Sequence, residues 1–261
     1  MANRKIVSIH SFRGGTGKSN TTANLASQVA LAGKRVGIVD TDIQSPGIHV
    51  LFGLDETKMG RTVNDFLHGK CPISEVAFNV GEKAADSEGR SKLAGRDLWL
   101  FPSSIRGREI SQILREGYDV NLLNEGFQTM LKELQLDYLF IDTHPGLNEE
   151  TLLSIAISDI LIIILRPDQQ DFQGTAVTVD IARSLDVPNL LLMVNKALPK
   201  YDFADIRKQM EDKFHAPVAG ILPLSFDIAD NASKDIFSLQ HPNHAWSQAL
   251  CGVSEAVLAI K

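Results

Sequence analysis

A glycine-rich run, Ser11-Phe12-Arg13-Gly14-Gly15-Thr16-Gly17-Lys18-Ser19, stands between a strand-like stretch, Lys5–His10, and a helical pattern from Asn20 to Ala32. Glycines let a main chain curl tightly enough for its N–H groups to converge on a phosphate chain. In such a loop Lys18 reaches the β- and γ-phosphates, Ser19 offers a hydroxyl to Mg²⁺, and the helix N-terminus adds partial positive charge. The general phosphate-loop pattern has glycine at its first position, where this chain has Phe12. The core from Gly14 to Ser19 nonetheless falls between strand and helix, where the mechanism requires it.

Two other strand-like runs end in carboxylates. One leads into Asp40-Thr41-Asp42, and the other, Tyr138–Ile141, into Asp142-Thr143-His144-Pro145-Gly146. The carboxyl ends of parallel strands form the ligand-binding edge of an α/β sheet. Four apolar residues followed by Asp142 match the Walker B arrangement, which delivers a carboxylate to a magnesium shell. Pro145-Gly146 then opens a loop able to respond to a γ-phosphate. An Asp-x-Asp after a strand also serves as an ordinary turn or helix cap. His144 fits either a phosphate or partner contact or an exposed loop residue, and is not assigned as a base. Asn195 and Lys196 follow the run Leu190–Val194, where an asparagine is also a common turn former. The polar segment from Arg166 to Asp171 stands at another strand end, either as a partner contact or as a solvated loop.

The run Arg13-Gly14-Gly15-Thr16-Gly17-Lys18-Ser19 resembles the deviant Walker A motif, KGGxGK[ST], of the MinD/ParA ATPases. That resemblance implies Mg²⁺ and ATP as ligands, with Gly14, Gly15, Thr16, Gly17, Lys18, Ser19 and Asn20 around the nucleotide. In the family a signature lysine stands at the place of Arg13 and reaches the partner's phosphates in an ATP-sandwiched homodimer. Arg13 keeps the charge, but arginine and lysine are not interchangeable at such sites. The resemblance further implies that Asp42, in switch I, positions the attacking water. It places Asp40 and Asp142, with Ser19, in the metal and water shell. Asn195 matches the family's base-binding asparagine, and Pro223 its G-x-x-P turn beside the base.

These residues require parallel strands with helices between them. Short, continuously apolar runs at Lys5–His10, Arg35–Asp40, Leu98–Pro102, Asp137–Asp142, Ile160–Arg166, Asn189–Asn195 and Pro217–Leu222 read as strands buried on both faces. Apolar stripes at helical spacing fall between them: Leu25, Val29 and Ala32; Leu114 with Leu122 to Leu134; Val177, Ile181 and Leu185. The expected fold is therefore an α/β, doubly wound, mostly parallel sheet with helices on both faces, forming a single domain over residues 1–261. The segment Gly81–Arg96 is expected to be a surface loop.

Composition narrows the class. With 44% hydrophobic and 22% charged residues, the chain is neither fibrous nor disordered. Its 26 basic and 32 acidic residues give a net charge of −6, which disfavours coating of nucleic acid by bulk charge. Arg106, Arg108 and Arg115 cluster loosely but are diluted by Glu109 and Glu116, so non-specific DNA binding is open and not favoured. Two distant cysteines, Cys71 and Cys251, form no metal or disulfide spacing. Absence of a signal-peptide pattern or an anchor points to a cytoplasmic protein. Trp246, Leu250, Val253, Val257 and Ile260 make one apolar stripe near the C-terminus, with Lys261 as its only cation, which suits packing on the sheet better than a membrane surface.

The leading expectation is an ATPase switch that dimerises with ATP and hydrolyses it to position or recruit an activating or cargo protein. Alternatives are an ATP-dependent small-molecule ligase or kinase, a metal-centre maturation ATPase, and a nucleotide-binding scaffold with little hydrolysis.

Overall fold

The computed structural model describes residues 4–81 and 87–261. Eight strands form one sheet: β1 (Lys5–His10), β2 (Val36–Asp40), β3 (Phe78–Asn79), β4 (Leu98–Phe101), β5 (Tyr138–Asp142), β6 (Ile160–Leu165), β7 (Asn189–Ala197) and β8 (Val218–Pro223). Their order is β3-β4-β2-β5-β1-β6-β7-β8, and every pairing is parallel except β3 with β4. The continuously apolar strands have the burial that this composition demands: all six residues of β1 and all six of β6 are buried.

Alternate residues of each strand serve opposite faces. Val7, Ile9, Ile38, Phe140 and Ile162 pack with Leu25 and Val29 of the helix Lys18–Leu31 and with Leu250 and Val253 of the helix Ala245–Ala259. On the other face, Ile6, Val39 and Ile141 meet Leu123, Phe127 and Met130 of the helix Val120–Glu133. Farther along that face, Leu161, Ile163 and Val194 meet Val179 of the helix Gln169–Ser184 and Met210 of the helix Phe203–Phe214. The expected doubly wound sheet is thus observed. The C-terminal stripe packs on it, with Gly220 of β8 lacking the Cβ that would meet Val253 at 2.4 Å.

Three expectations are corrected. Gly117, at φ +67°, separates the helix Gly107–Glu116 from Val120–Glu133, and Leu114 points to solvent. On Gln169–Ser184 the buried face is Gly174, Thr175, Thr178, Val179 and Ala182, so Val177 and Leu185 are exposed. Small residues let this helix lie close to its neighbours, and the larger apolar residues point away. Of the expected loop 81–96, Glu88–Ser91 is a short helix capped by Ser87, and residues 82–86 lie outside the described residues.

β1 lies between β5 and β6, where strand order changes direction, and this is the switch point at which open α/β sheets bind ligands. Because the strands are parallel, the segments after β1, β2, β5, β6, β7 and β8 all emerge along one edge.

Candidate nucleotide site

The loop after β1 runs from Ser11 to Gly17 and passes directly into the helix Lys18–Leu31. Gly15 and Gly17 have φ of +76° and +92°, conformations that side chains rarely tolerate. Two residues at the end of β7 brace this loop. Asn195 Nδ2 donates to the Thr16 carbonyl at 2.7 Å, and Lys196 Nζ donates to the Gly15 carbonyl at 2.7 Å. The Thr16 hydroxyl is buried and has no partner.

Beside the loop, Lys18 Nζ lies 3.3 Å from Asp142 Oδ1, and the Thr22 hydroxyl donates to the same oxygen at 3.3 Å. Asp142 Oδ2 is buried without a partner. Asp40 is wholly buried, and its two oxygens accept the backbone N–H groups of Asp42 (3.1 Å) and Gly47 (3.2 Å). Burial, together with the neighbouring Asp142 and Asp42, pushes the Asp40 carboxyl well above the usual carboxylate range, against the pull of Lys18. Asp142 contacts the Lys18 ammonium, and Asp40 lies close enough to feel Asp142, Asp42 and Lys18, an acidic surrounding that favours additional positive charge. Ser19, at the start of the same helix, is half-buried.

These observations fit a magnesium nucleotide: unsatisfied polar atoms on Thr16 and Asp142, a loop of backbone donors, and excess acid. Mg²⁺ in such sites keeps several waters and leans on substrate phosphates instead of an all-protein cage. Among the described residues there is no group of three His, Cys, Asp or Glu side chains suited to a metal.

Asp42 and His144, from the loops after β2 and β5, meet at 2.7 Å between Oδ1 and Nδ1. His144 is therefore not simply an exposed loop residue. His10, which the sequence did not single out, is fully buried with Nδ1 2.9 Å from the Thr143 hydroxyl and Nε2 without a partner. Burial, and then the nearby Lys18 and His144, lower its pKa to about 3, so it is neutral.

A cleft of about 360 Å³ opens from Gly17, Asn20 and Thr21. Asn195 and Pro223 line it, and its far wall was not foreseen: Leu224, Ser225, Ile228, Ala229 and Trp246. That wall comes from the short helix Phe226–Asn231 and the start of Ala245–Ala259, which carry no local motif.

Arg13 is about half exposed, with Nε 4.0 Å from Asp171 Oδ1. Asp171 itself is buried and held by both Nε and Nη2 of Arg166. Burial alone would raise its pKa, but the Arg166 hydrogen bonds outweigh it and hold the carboxyl below its ordinary value. Asp168 caps the helix Gln169–Ser184 through Asp171 N–H. The polar segment is thus an internally paired strand-to-helix junction.

Comparison with known proteins agrees with this geometry. A family profile described as an AAA domain matches residues 4–189. The chain belongs to the MinD/ParA family of P-loop ATPases. It is 24% identical over 98% of its length to an uncharacterized ATP-binding protein of Methanocaldococcus jannaschii, covering 88% of that protein. It is 27% identical over 89% of its length to an iron–sulfur cluster carrier protein of Rickettsia conorii, of which it spans 65%. Its fold matches that of the septum site-determining protein MinD of Pyrococcus horikoshii, solved with Mg-ADP, at a TM-score of 0.77. That match covers 97% of this chain and 96% of the other at 19% identity. Among the described residues of this family member, no helix is long and apolar enough to cross a membrane.

Proposed function

We propose that the protein is a Mg²⁺-ATP-dependent switch, one domain throughout, that forms a homodimer with ATP and hydrolyses it to position or recruit a partner protein. The observation that carries this reading is the convergence of Lys18, Asp142, Asp40 and Asp42 at the mouth of a glycine-rich loop continuous with a 360 Å³ cleft. Gly14 to Ser19 hold the phosphates, with Lys18 as their cation. Ser19 and Asp142 hold the metal directly or through water, and Asp40, whose oxygens already fold the switch I turn, acts from behind them. When bound, Mg²⁺ neutralises charge on the phosphates. Asp42 orients the attacking water. Asn20, Asn195 and Pro223 border the nucleoside, and adenine as its base rests on the resemblance of Asn195 and the Pro223 turn to the family's base-binding positions. Arg13, exposed at the lip of the loop, reaches the second copy's phosphates. A cytoplasmic location accords with this use of ATP.

A second reading, iron–sulfur carriage, is favoured by the name of the Rickettsia relative. It asks for thiolates, whereas burial raises the pKa of both free cysteines, Cys71 and Cys251. DNA binding is not favoured, since Arg106 is engaged by Glu56 and Glu109 at 3.1 and 3.2 Å.

Light-scattering mass of Asp42→Ala protein with Mg²⁺ and ATP or ADP tests the switch. A dimer with ATP alone, lost on adding Arg13→Ala, is the expected result. A monomer in every condition, with ATP demonstrably bound, would overturn it in favour of a phosphate-transfer enzyme or a binding module.

A further inference from the structure

We propose that His144 is the positioning residue for Asp42, fixing the carboxylate so that one oxygen is left to orient water. The proposal rests on the reading of Asp42 given above and adds the residue through which the loop after β5 acts on it.

The contact is short and directional. Nδ1 of His144 lies 2.7 Å from Asp42 Oδ1, a length typical of a charge-assisted hydrogen bond. A carboxylate only accepts, so Nδ1 carries the proton and donates. The second bond to this carboxylate, from Ser45 N–H at 3.2 Å, also ends on Oδ1. Among the described residues both bonds therefore fall on one oxygen, leaving Oδ2 for a ligand. The contact is sheltered, with side-chain exposure of 24% for His144 and 10% for Asp42.

Both ends of the contact are carried on backbone that neighbouring strands hold. Thr143, next to His144, donates its hydroxyl to the Ile9 carbonyl at 3.0 Å, and its N–H to the same carbonyl at 3.3 Å. Gly146 N–H donates to the Ser11 carbonyl at 3.2 Å, and the buried Thr151 hydroxyl donates to the His144 carbonyl at 3.3 Å. The loop after β5 is thereby pinned to the end of β1 on both sides of His144. Asp42 sits in a turn closed by Asp40 and Ser45, and Thr41 before it donates its N–H and its hydroxyl to the Asp142 carbonyl, each at 3.0 Å. With both main chains fixed, an imidazole that donates to one oxygen of the carboxylate selects the side-chain orientation of Asp42. Displacing a reacting group by about 1 Å can cost on the order of a hundredfold in rate, so this orientation has catalytic weight.

The test uses the full chain with His144→Ala, His144→Asn and Asp42→Ala. Steady-state ATPase assays should show kcat reduced about 10- to 100-fold in His144→Ala, with KM and directly titrated ATP affinity changed less than about twofold. His144→Asn should regain most of the loss, because its amide N–H can stand near the place of Nδ1. In ¹⁵N-histidine spectra of nucleotide-free protein, the protected Nδ1–H resonance of His144, told apart from that of buried His10 by its loss in His144→Ala, should be present in wild type and absent from Asp42→Ala as well. An unchanged or raised kcat in His144→Ala, a loss expressed only in KM, or no recovery in His144→Asn would overturn the proposal. So would a His144 Nδ1–H resonance that survives Asp42→Ala. Wild-type protein that binds ATP without turning it over would overturn the hydrolytic reading itself, and the catalytic role of His144 with it.

Discussion

A Cβ placed on Gly17 would lie 2.6 Å from Asn195 Nδ2, so the phosphate loop and the end of β7 approach as they do only because residue 17 has no side chain. Asn195 uses that closeness to donate to the Thr16 carbonyl at 2.7 Å. Gly17→Ala combines a left-handed backbone, worth about 1–3 kcal/mol of strain, with displacement of this brace. Calorimetric titration should show ATP affinity at least about tenfold weaker in Gly17→Ala, since tenfold corresponds to about 1.4 kcal/mol. Equal affinity would mean that the loop does not require this geometry for the nucleotide.

The same contact shows which parts of the molecule were legible in the chain. Gly17, Lys18 and Asp142 announce themselves because glycine patterns and apolar runs ending in an acid are local signals. Pairings such as Thr22 with Asp142, Lys196 with Gly15 and His144 with Asp42 join distant segments, and only the sheet order brings them together. The cleft wall was hidden for the same reason: Ile228, Ala229 and Trp246 carry no motif. On Gln169–Ser184 the apolar pattern pointed to the wrong stripe, because close packing selected small residues for the buried face. Hydrophobicity and burial part company where an element must come close.

Lys18 and Asp142 are both buried and meet at 3.3 Å, with Asp40 near enough to feel both. Lys18→Ala should abolish tight ATP binding and also destabilise the nucleotide-free protein. Removing one partner of a buried pair leaves an uncompensated charge, at a cost of about 3 kcal/mol. Urea unfolding together with ATP titration checks both halves. Unchanged ATP affinity would require the phosphate-loop assignment to be dropped.

Phe12 stands where the general phosphate-loop pattern has glycine, and its ring lies against Gly174 so closely that a Cβ there would meet it at 2.2 Å. Gly174→Ala should therefore destabilise the protein by about 1–3 kcal/mol through overpacking. In a Phe12→Gly background, which removes both the ring and the Phe12 Cβ that would lie 2.7 Å from the new methyl, the same change should become neutral or stabilising, by up to about 1 kcal/mol, because alanine is the better helix former. A double-mutant cycle by urea unfolding measures the sign reversal. Additive effects would show that ring and glycine do not meet.

His10 gives the protein a calculable acid sensitivity. Its folded pKa of about 3 lies below the unfolded value of about 6.5, because burial and then Lys18 and His144 oppose its charge. Between those values the unfolded chain binds a proton that the folded chain does not, so stability rises with pH across this window. The contribution is fully present above pH ~6.5 and is lost progressively as pH falls toward ~3. Lowering pH from 7 to 5 should therefore cost wild type about 2 kcal/mol more than His10→Asn, whose side chain does not titrate. The two proteins share their other acidic groups, so the difference between their urea-unfolding free energies at the two pH values isolates His10. Parallel losses would mean that the folded protein accommodates the imidazolium, through a partner for Nε2 at the loop where β1 ends.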